Sequence, residues 1–258
     1  MSRHKRHKAV RDSYLRRGLA EVFTPGRHYP TYLSEKVTQF SKYRGEDLCR
    51  LQKEAIQRLH HDPVFDLRDS DRAEFSDSVV LTAYFQFFDE LFFFGSLAGS
   101  ERCLLRFKAQ RGHERQTRGM FFKYVQERAD GSRVQMFDIV MHKPYNYRLR
   151  EPNRYVRLKS ALCCLLQGMC HAFLGLWQCR TGTCQQTWGG RGAGYAWQDM
   201  ALAIEEALAD RHFLNLRISL ERRDMLIQML KANPGRIKEA YLRDWGFDHR
   251  DLARYMKK

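Results

Sequence analysis

The sequence predicts an α+β fold in which helices pack on a small antiparallel sheet. Three observations lead to this class. A wide apolar helical face lies near residue 80, β-branched and aromatic residues surround an Asp130-Gly131 turn, and a long apolar helix starts near residue 155. The order helix, strand and hairpin, helix, loop, helix is typical of α+β proteins and lacks the strict alternation of an α/β fold.

Residues 1–76 are predicted to be a basic, partly disordered region with one helix, GEDLCRLQKEAIQRLHHD. Apolar residues at helical spacing indicate that one face of this helix packs against something, and Asp62-Pro63 ends it. The start of the chain, RHKRHK, fits a nuclear address or a nucleic-acid arm, and a solvated tail fits it equally well. No apolar run follows, so it is not a secretory signal.

The central region is predicted to span residues 77–212. Asp77 or Ser78 is predicted to cap a heavily buried helix that stops at Gly95. CLLRFKA follows as a first strand, and RGMFFKYVQER and SRVQMFDIVMH form a hairpin around Asp130-Gly131. A basic, mostly helical extension, residues 213–258, completes the chain.

Charge and composition limit the kinds of molecule that the chain is expected to bind. The chain has 258 residues, a formal net charge of +15, 43% hydrophobic residues and 13% aromatic residues. This composition excludes wholesale disorder. The charge favours nucleic acid, a membrane surface or an acidic protein, although a basic surface that only keeps the protein soluble has the same composition.

Residues 160–177, SALCCLLQGMCHAFLGLW, are about as long as the shortest membrane-spanning helices. Gln167 and His171 lie at the centre of this segment, where polar groups are costly in lipid. A helix in the core of a folded domain is therefore predicted, with no membrane span.

The seven cysteines are an odd number, and most lie in apolar or helical patterns. This favours buried free thiols in a reducing, intracellular compartment over a secreted disulfide framework. They are Cys49, Cys103, Cys163, Cys164, Cys170, Cys179 and Cys184.

Three motifs in order resemble the SprT-like domain, the zincin module of the Spartan group of DNA-protein crosslink proteases. LFFFGSL is similar to the aromatic turn that ends the family's first helix, and LLQGMCHAFLGLW lies where the family has its LLHEMCHA-like metal helix. GRGAGYAWQDM lies where the family has a GHG segment before its next helix. The resemblance implies a zincin-like SprT domain over residues 77–212, and DNA as a partner.

The catalytic pattern of that family is degenerate here. In an HExxH helix two His bind one zinc ion and the Glu activates its water, while a third ligand follows downstream. The resemblance puts Gln167 at the first His, Gly168 at the general base and Ala193 at the third ligand, which leaves His171 as the sole remaining metal ligand. We therefore expect no catalytic residue, no cofactor and a pseudo-metallopeptidase that has lost hydrolysis.

An alternative is an active zinc metallopeptidase with substituted ligands. Cys164, Gln167 and His171 share one helical face, and thiolate with imidazole suits zinc. Small buried cysteines and a satisfied core histidine explain the same pattern more simply. Further candidates are Cys163, Cys170, His113, His142 and the CxxxxC pair Cys179 and Cys184.

The function expected from this combination is a binding module for DNA or a DNA-associated protein, with a nuclear location favoured. The candidate nucleic-acid-binding residues are Lys5, Arg6, Arg111, Arg115 and Arg118, with Arg133 as a further candidate near the hairpin. Tyr145, Tyr147 and Tyr155 could stack on exposed bases, although packing explains such residues more often. A second kind of partner is an extended protein segment, which could add as a strand along RVQMFDIVMH, a predicted edge strand.

Overall fold

The computed structural model describes residues 23–67, 75–109, 118–143, 153–181, 194–232, 239–248, 250 and 252. Within these residues the fold is α+β, as predicted. The chain order is α1 Pro30–Ser41, α2 Arg50–His61, α3 Asp77–Phe92, β1 Cys103–Ala109, β2 Gly119–Glu127, β3 Arg133–Lys143, α4 Arg154–Trp177, α5 Tyr195–Ala209, α6 Arg222–Ala232 and α7 Glu239–Asp244.

The region before residue 77 contains two helices of this set, where the sequence had predicted one. Helix α1 starts at Pro30, whose fixed φ and missing N–H suit the first helical position. It packs against α5, and its Leu33 and Val37 belong to the same hydrophobic core as α4. Gln52 of α2 donates its amide hydrogens to the carbonyl oxygens of Phe40 and Leu91, both at 3.0 Å, and so ties α1, α2 and α3 together.

Helix α3 begins one residue before the predicted start, because Ser76 caps it by accepting a hydrogen bond from the amide of Val79. The helix ends at Phe92, and the chain turns through left-handed φ values of 63° at Phe94 and 68° at Gly95. The buried Asp89 carboxylate accepts hydrogen bonds from the amides of the loop that follows, 2.9 Å from Leu97 and 2.7 Å from Ala98. This carboxylate fixes the aromatic turn at the end of α3.

The sheet is mixed, and the predicted antiparallel sheet is wrong in one pairing. The strand order is β1-β3-β2. The predicted hairpin pairs β2 with β3 in antiparallel fashion, but β1 runs parallel to β3. The hairpin signal predicts only the local pairing, whereas the pairing of β1 depends on long-range contacts, among them those with α3.

This topology also corrects the expectation that the segment RVQMFDIVMH is an edge strand. The segment is β3, and its two edges are paired with β1 and β2. A protein segment cannot add to a strand whose backbone hydrogen bonds are already satisfied on both sides.

Helix α4 crosses one face of the sheet and forms the centre of the core. It is the one helix in the described part of the chain that is long and apolar enough to cross a membrane, and 78% of its most apolar window is buried inside the fold. Such burial is that of a core helix in a folded domain. The helix therefore gives no clear sign of a membrane protein.

The C-terminal region forms a second, smaller apolar cluster. Leu226 of α6 and Trp245 pack there with Tyr195 and Leu202 of α5. Trp245 donates its indole N–H to Asp199 of α5 at 2.7 Å. The C-terminal region thus packs against α5. The domain boundaries at residues 76 and 212 stay a prediction.

Candidate functional site

The residues of the degenerate motif lie on α4, where the helix crosses the sheet. Asn153 caps the helix start by accepting a hydrogen bond from the amide of Tyr155 at 2.7 Å. Cys164, Gly168, His171 and Gly175 recur at three- and four-residue spacing, so they share the helix face that meets the sheet. Two of these four are glycines, and that lets helix and sheet approach closely.

Gly168, at the expected general-base position, is in the tightest part of this contact. A Cβ atom added to it would lie 2.5 Å from Cε1 of Phe121 on β2 and 3.1 Å from Cγ2 of Ile139 on β3. Real Cβ atoms do not come this close to other atoms. The volume that a glutamate side chain would need is therefore filled by the Phe121 ring.

Gly175 lies about two helical turns after Gly168 and also comes close to the sheet. A Cβ atom there would lie 3.0 Å from Cε2 of Phe137. The side-chain amide of Gln135 on β3 donates to the carbonyl oxygen of Gly175 at 2.7 Å. The two glycines thus serve helix–sheet packing, which accounts for the helix-propensity cost of about 1 kcal/mol that each carries relative to Ala.

His171, the sole remaining metal ligand of the motif, is held between two aromatic rings. Its ring centroid lies 5.6 Å from that of Phe121 and 5.6 Å from that of Trp197 on α5, and the Trp197 pair is stacked. Burial among these rings lowers the pKa of His171 to about 4 because an apolar environment disfavours the charged imidazolium. The imidazole is therefore neutral at physiological pH.

Gln167 stands at the position of the first ligand. It is 9% exposed, and its side-chain amide takes part in a hydrogen bond within the fold. Its Nε2 donates to the carbonyl oxygen of Leu220 at 2.8 Å and lies 3.5 Å from Oε2 of Glu221. Leu220 belongs to the irregular segment that follows α5 and leads into α6. Gln167 therefore fastens this segment to the core helix and has a structural role.

The replacement ligands do not assemble in the described residues. Cys163 and Cys170 are buried, Cys164 is partly buried, and burial raises the pKa of each of the three thiols. No three His, Cys, Asp or Glu side chains in this part of the chain come together so that they could hold a metal ion. Ala193, His113 and Cys184 lie outside the described residues.

Most of the candidate nucleic-acid-binding residues also lie outside the described residues: Lys5, Arg6, Arg111 and Arg115. Arg118 is exposed at the start of β2, and its carbonyl oxygen accepts a hydrogen bond from the amide of His142 at 3.0 Å. The register pairs Lys108 of β1 with His142, so Lys108 and Arg118 lie at the same end of the sheet. Tyr155 is partly buried and packs against the core, and Tyr145 and Tyr147 are outside the described residues.

A second group of basic residues lies at the opposite end of the sheet, and sequence reasoning had singled out only Arg133 among them. Arg102, Lys123, Arg128, Arg133 and Arg180 gather around the hairpin end and the C-terminus of α4. Arg180 is near enough to Lys123 and Arg102 to contribute to the lowered pKa of both, after the larger effect of partial burial. The alternation of side chains along the two strands could have predicted that Lys123 and Arg133 share one face of the sheet. No local sequence pattern predicts that Arg180 lies near them.

Comparison with known proteins identifies no family for this chain. No family model, no curated protein and no solved structure matches the chain. The resemblance to the SprT-like domain therefore stays a prediction that rests on the three sequence motifs and their order.

Proposed function

We propose that this chain is a catalytically inactive pseudo-metallopeptidase with a zincin-like SprT domain that acts as a binding module for DNA or a DNA-associated protein. The observation that carries the inactive part is the packing at Gly168. Phe121 fills the volume of the missing general base, so a water-activating carboxylate has no room at this position.

The other two motif positions in α4 support the same proposal. The side-chain N–H of Gln167 donates to Leu220, and the partly buried imidazole of His171 packs between Phe121 and Trp197. Each of these side chains contributes to packing or to a hydrogen bond inside the fold.

The charge of the chain supports DNA as the partner. A net charge of +15 attracts polyanions, and Arg118 and Lys108 are exposed at one end of the sheet. Neutralising phosphates releases condensed counterions, which favours binding most at low salt. A nuclear location accords with this partner, and zinc is not part of the proposed function.

Three measurements on the 258-residue chain test the proposal. In the first, protein purified without chelator is incubated with an unstructured protein substrate, with and without DNA and added zinc, beside a chelator control. We expect no cleavage that chelator abolishes. Chelator-sensitive cleavage would instead establish the active metallopeptidase with substituted ligands.

The second measurement is DNA binding across a salt series. We expect binding at about 50 mM salt that weakens as salt rises, because phosphate contacts give a negative slope of log K against log salt. Failure to bind either duplex or single-stranded DNA at that salt would remove DNA as the partner. Metal analysis of the same preparation, with a Gln167→His/Gly168→Glu variant beside it, should show no stoichiometric zinc in either protein.

A further inference from the structure

The β2–β3 hairpin extends beyond the helix that covers it. Helix α4 ends at Trp177, and the hydrogen bond from Gln135 to Gly175 lies close to that end. Side chains of β2 and β3 alternate between the two faces of the sheet, so Val125 and Gln135 point to the same side as Phe121 and Ile139. Val125 is 59% exposed because no helix covers this part of the sheet face in the described residues.

A pocket of about 410 Å³ occupies this uncovered part of the face. We call it the Arg180 pocket, and its lining residues are Val125, Glu127, Arg133, Gln135 and Arg180. Arg133 comes from the first position of β3. Arg180 comes from the chain that leaves α4, so the pocket forms only when helix and hairpin are packed together.

The surroundings of the pocket are strongly basic. Lys123 lies one step along β2 from Val125 on the same face, and Arg102 immediately precedes β1. The positive charge of Arg180 contributes to lowering the pKa values of Lys123 and Arg102. Arg128 pairs with Glu101 at 3.2 Å, and Glu127 is the acidic residue among those that line the pocket.

Two cations of this group have no acidic partner in the described part of the chain. Neither Arg133 nor Arg180 is within ion-pair distance of a described carboxylate, and both side chains are exposed. The pocket thus holds two guanidinium groups against the one carboxylate of Glu127, with Lys123 beside them. An excess of positive charge of this kind favours a bound anion.

We propose that the Arg180 pocket binds a backbone phosphate of a nucleic acid, with Arg133 and Arg180 as its principal cations and Lys123 as a supporting charge. A guanidinium donates two parallel N–H groups to phosphate oxygens and stays charged at every physiological pH. The phosphodiester is common to DNA and RNA, so the pocket itself reads neither sugar nor base. This inference rests on the nucleic-acid partner in the proposed function and adds the site of contact.

The distribution of charge along β2 favours a polymer over a short acidic peptide. The nine residues of β2 begin beside Arg118 and end at the Arg180 pocket. At about 3.3 Å per residue the strand spans about 30 Å. Contact with the cations at both ends requires a molecule of about this length or more, and a phosphodiester chain carries its charges at regular intervals over such a distance.

The test compares two double variants of the full-length protein with equal loss of charge. Arg133→Gln/Arg180→Gln removes the pocket cations, and Arg211→Gln/Arg217→Gln removes two exposed arginines between α5 and α6 as the matched control. Fluorescence anisotropy is recorded with labelled single-stranded DNA, the same sequence as duplex, and single-stranded RNA. Each probe is about 20 nucleotides long, which exceeds the site size of most single-strand binders.

We expect the pocket variant to bind all three probes roughly tenfold more weakly at about 100 mM salt, and its salt slope on duplex DNA to decrease by about 1, since the loss of one phosphate contact removes about 0.9. The control should change affinity by less than about twofold and leave the slope near the wild-type value. A polyglutamate peptide should not bind in a way that depends on Arg133 and Arg180.

The possible failures are distinguishable. Equal binding by the pocket variant and the control would overturn the pocket while the nucleic-acid function stands. Polyglutamate binding that the pocket variant abolishes, with no effect on DNA or RNA, would make it an acidic-peptide site and also overturn the inference. Absence of any nucleic-acid binding by the wild type at about 50 mM salt would overturn the proposed function and the pocket with it.

Discussion

The surroundings of Gly168 and the Arg180 pocket lie on the same face of the same sheet, but one is closed and the other is open. At Gly168 the helix and the sheet approach until Phe121 leaves no room for a Cβ atom. Beyond Trp177 the helix has ended, and a basic pocket of about 410 Å³ remains. The position at which the resemblance implies a general base is used for packing, while the open pocket lies farther along the hairpin.

The two regions should therefore respond differently to substitution. Changes around Gly168 should alter stability and leave nucleic-acid binding intact, because these residues are enclosed. Changes in the Arg180 pocket should alter binding and leave stability intact, because these side chains are exposed. The four predictions below test this separation, from the largest expected effect on stability to the smallest.

Substitution at Gly168 should have the largest effect. We expect Gly168→Glu to lower the free energy of unfolding by roughly 3 kcal/mol or more, since it overpacks the interface and buries a carboxylate. Urea unfolding followed by circular dichroism measures it. Gly168→Ala should cost about 1–3 kcal/mol in the wild type.

A Phe121→Ala background provides the control for this clash. There, Gly168→Ala should stabilise by up to about 1 kcal/mol, because the higher helix propensity of Ala is no longer offset by the ring. If Gly168→Ala were stabilising even with Phe121 present, the close contact between helix and strand would be refuted.

Gln167→Glu should cost about 1–3 kcal/mol, because Leu220 loses its hydrogen-bond donor and a second carboxylate is placed beside Glu221. Gln167→Met, which keeps the volume but also lacks the donor, should cost less. Chemical denaturation of both variants checks the difference. Equal stability of Gln167→Glu and wild type would show that the contact does not hold the segment after α5.

His171 should make the closed region sensitive to acid. Its pKa is about 4 in the folded chain and near the ordinary value of 6.5 in the unfolded chain. Between these two values the unfolded chain takes up a proton and the folded chain does not. The free energy of unfolding should therefore fall as pH decreases from 6.5 towards 4, with a slope of up to about 1.4 kcal/mol per pH unit.

A His171→Phe variant should lack this contribution, and an exposed His61→Gln variant should retain it. Thermal unfolding from pH 7 to pH 4 separates the two variants. An unchanged acid dependence in His171→Phe would mean that the imidazole is not held neutral by its aromatic neighbours.

The smallest effect on stability belongs to Arg133→Gln/Arg180→Gln, which should change the free energy of unfolding by less than about 0.5 kcal/mol. Neither guanidinium forms an ion pair with a described carboxylate, so little native interaction is lost. Urea unfolding of this variant beside its nucleic-acid binding curve makes the comparison. A loss of both stability and binding would contradict the separation of the two regions.

The local elements of the fold could be predicted from the sequence because their signals are local. Asp130-Gly131 between two β-rich runs predicted the hairpin, and Asp62-Pro63 predicted the end of α2. Helix α1 was missed because its apolar residues are separated by polar and charged ones, and its burial depends on α5. The pairing of β1 with β3 was missed because no sequence pattern records which edge a distant strand will join.

By itself the sequence determined the identities at the motif positions: Gln167, Gly168, His171 and Ala193 stand where the resemblance expects ligands and a base. It also determined the excess of positive charge. Only the tertiary structure placed Phe121 against Gly168 and brought Arg180 to the hairpin that carries Lys123 and Arg133. The physical reason is that both arrangements join residues about 45 or more positions apart, which meet only through the packing of α4 on the sheet.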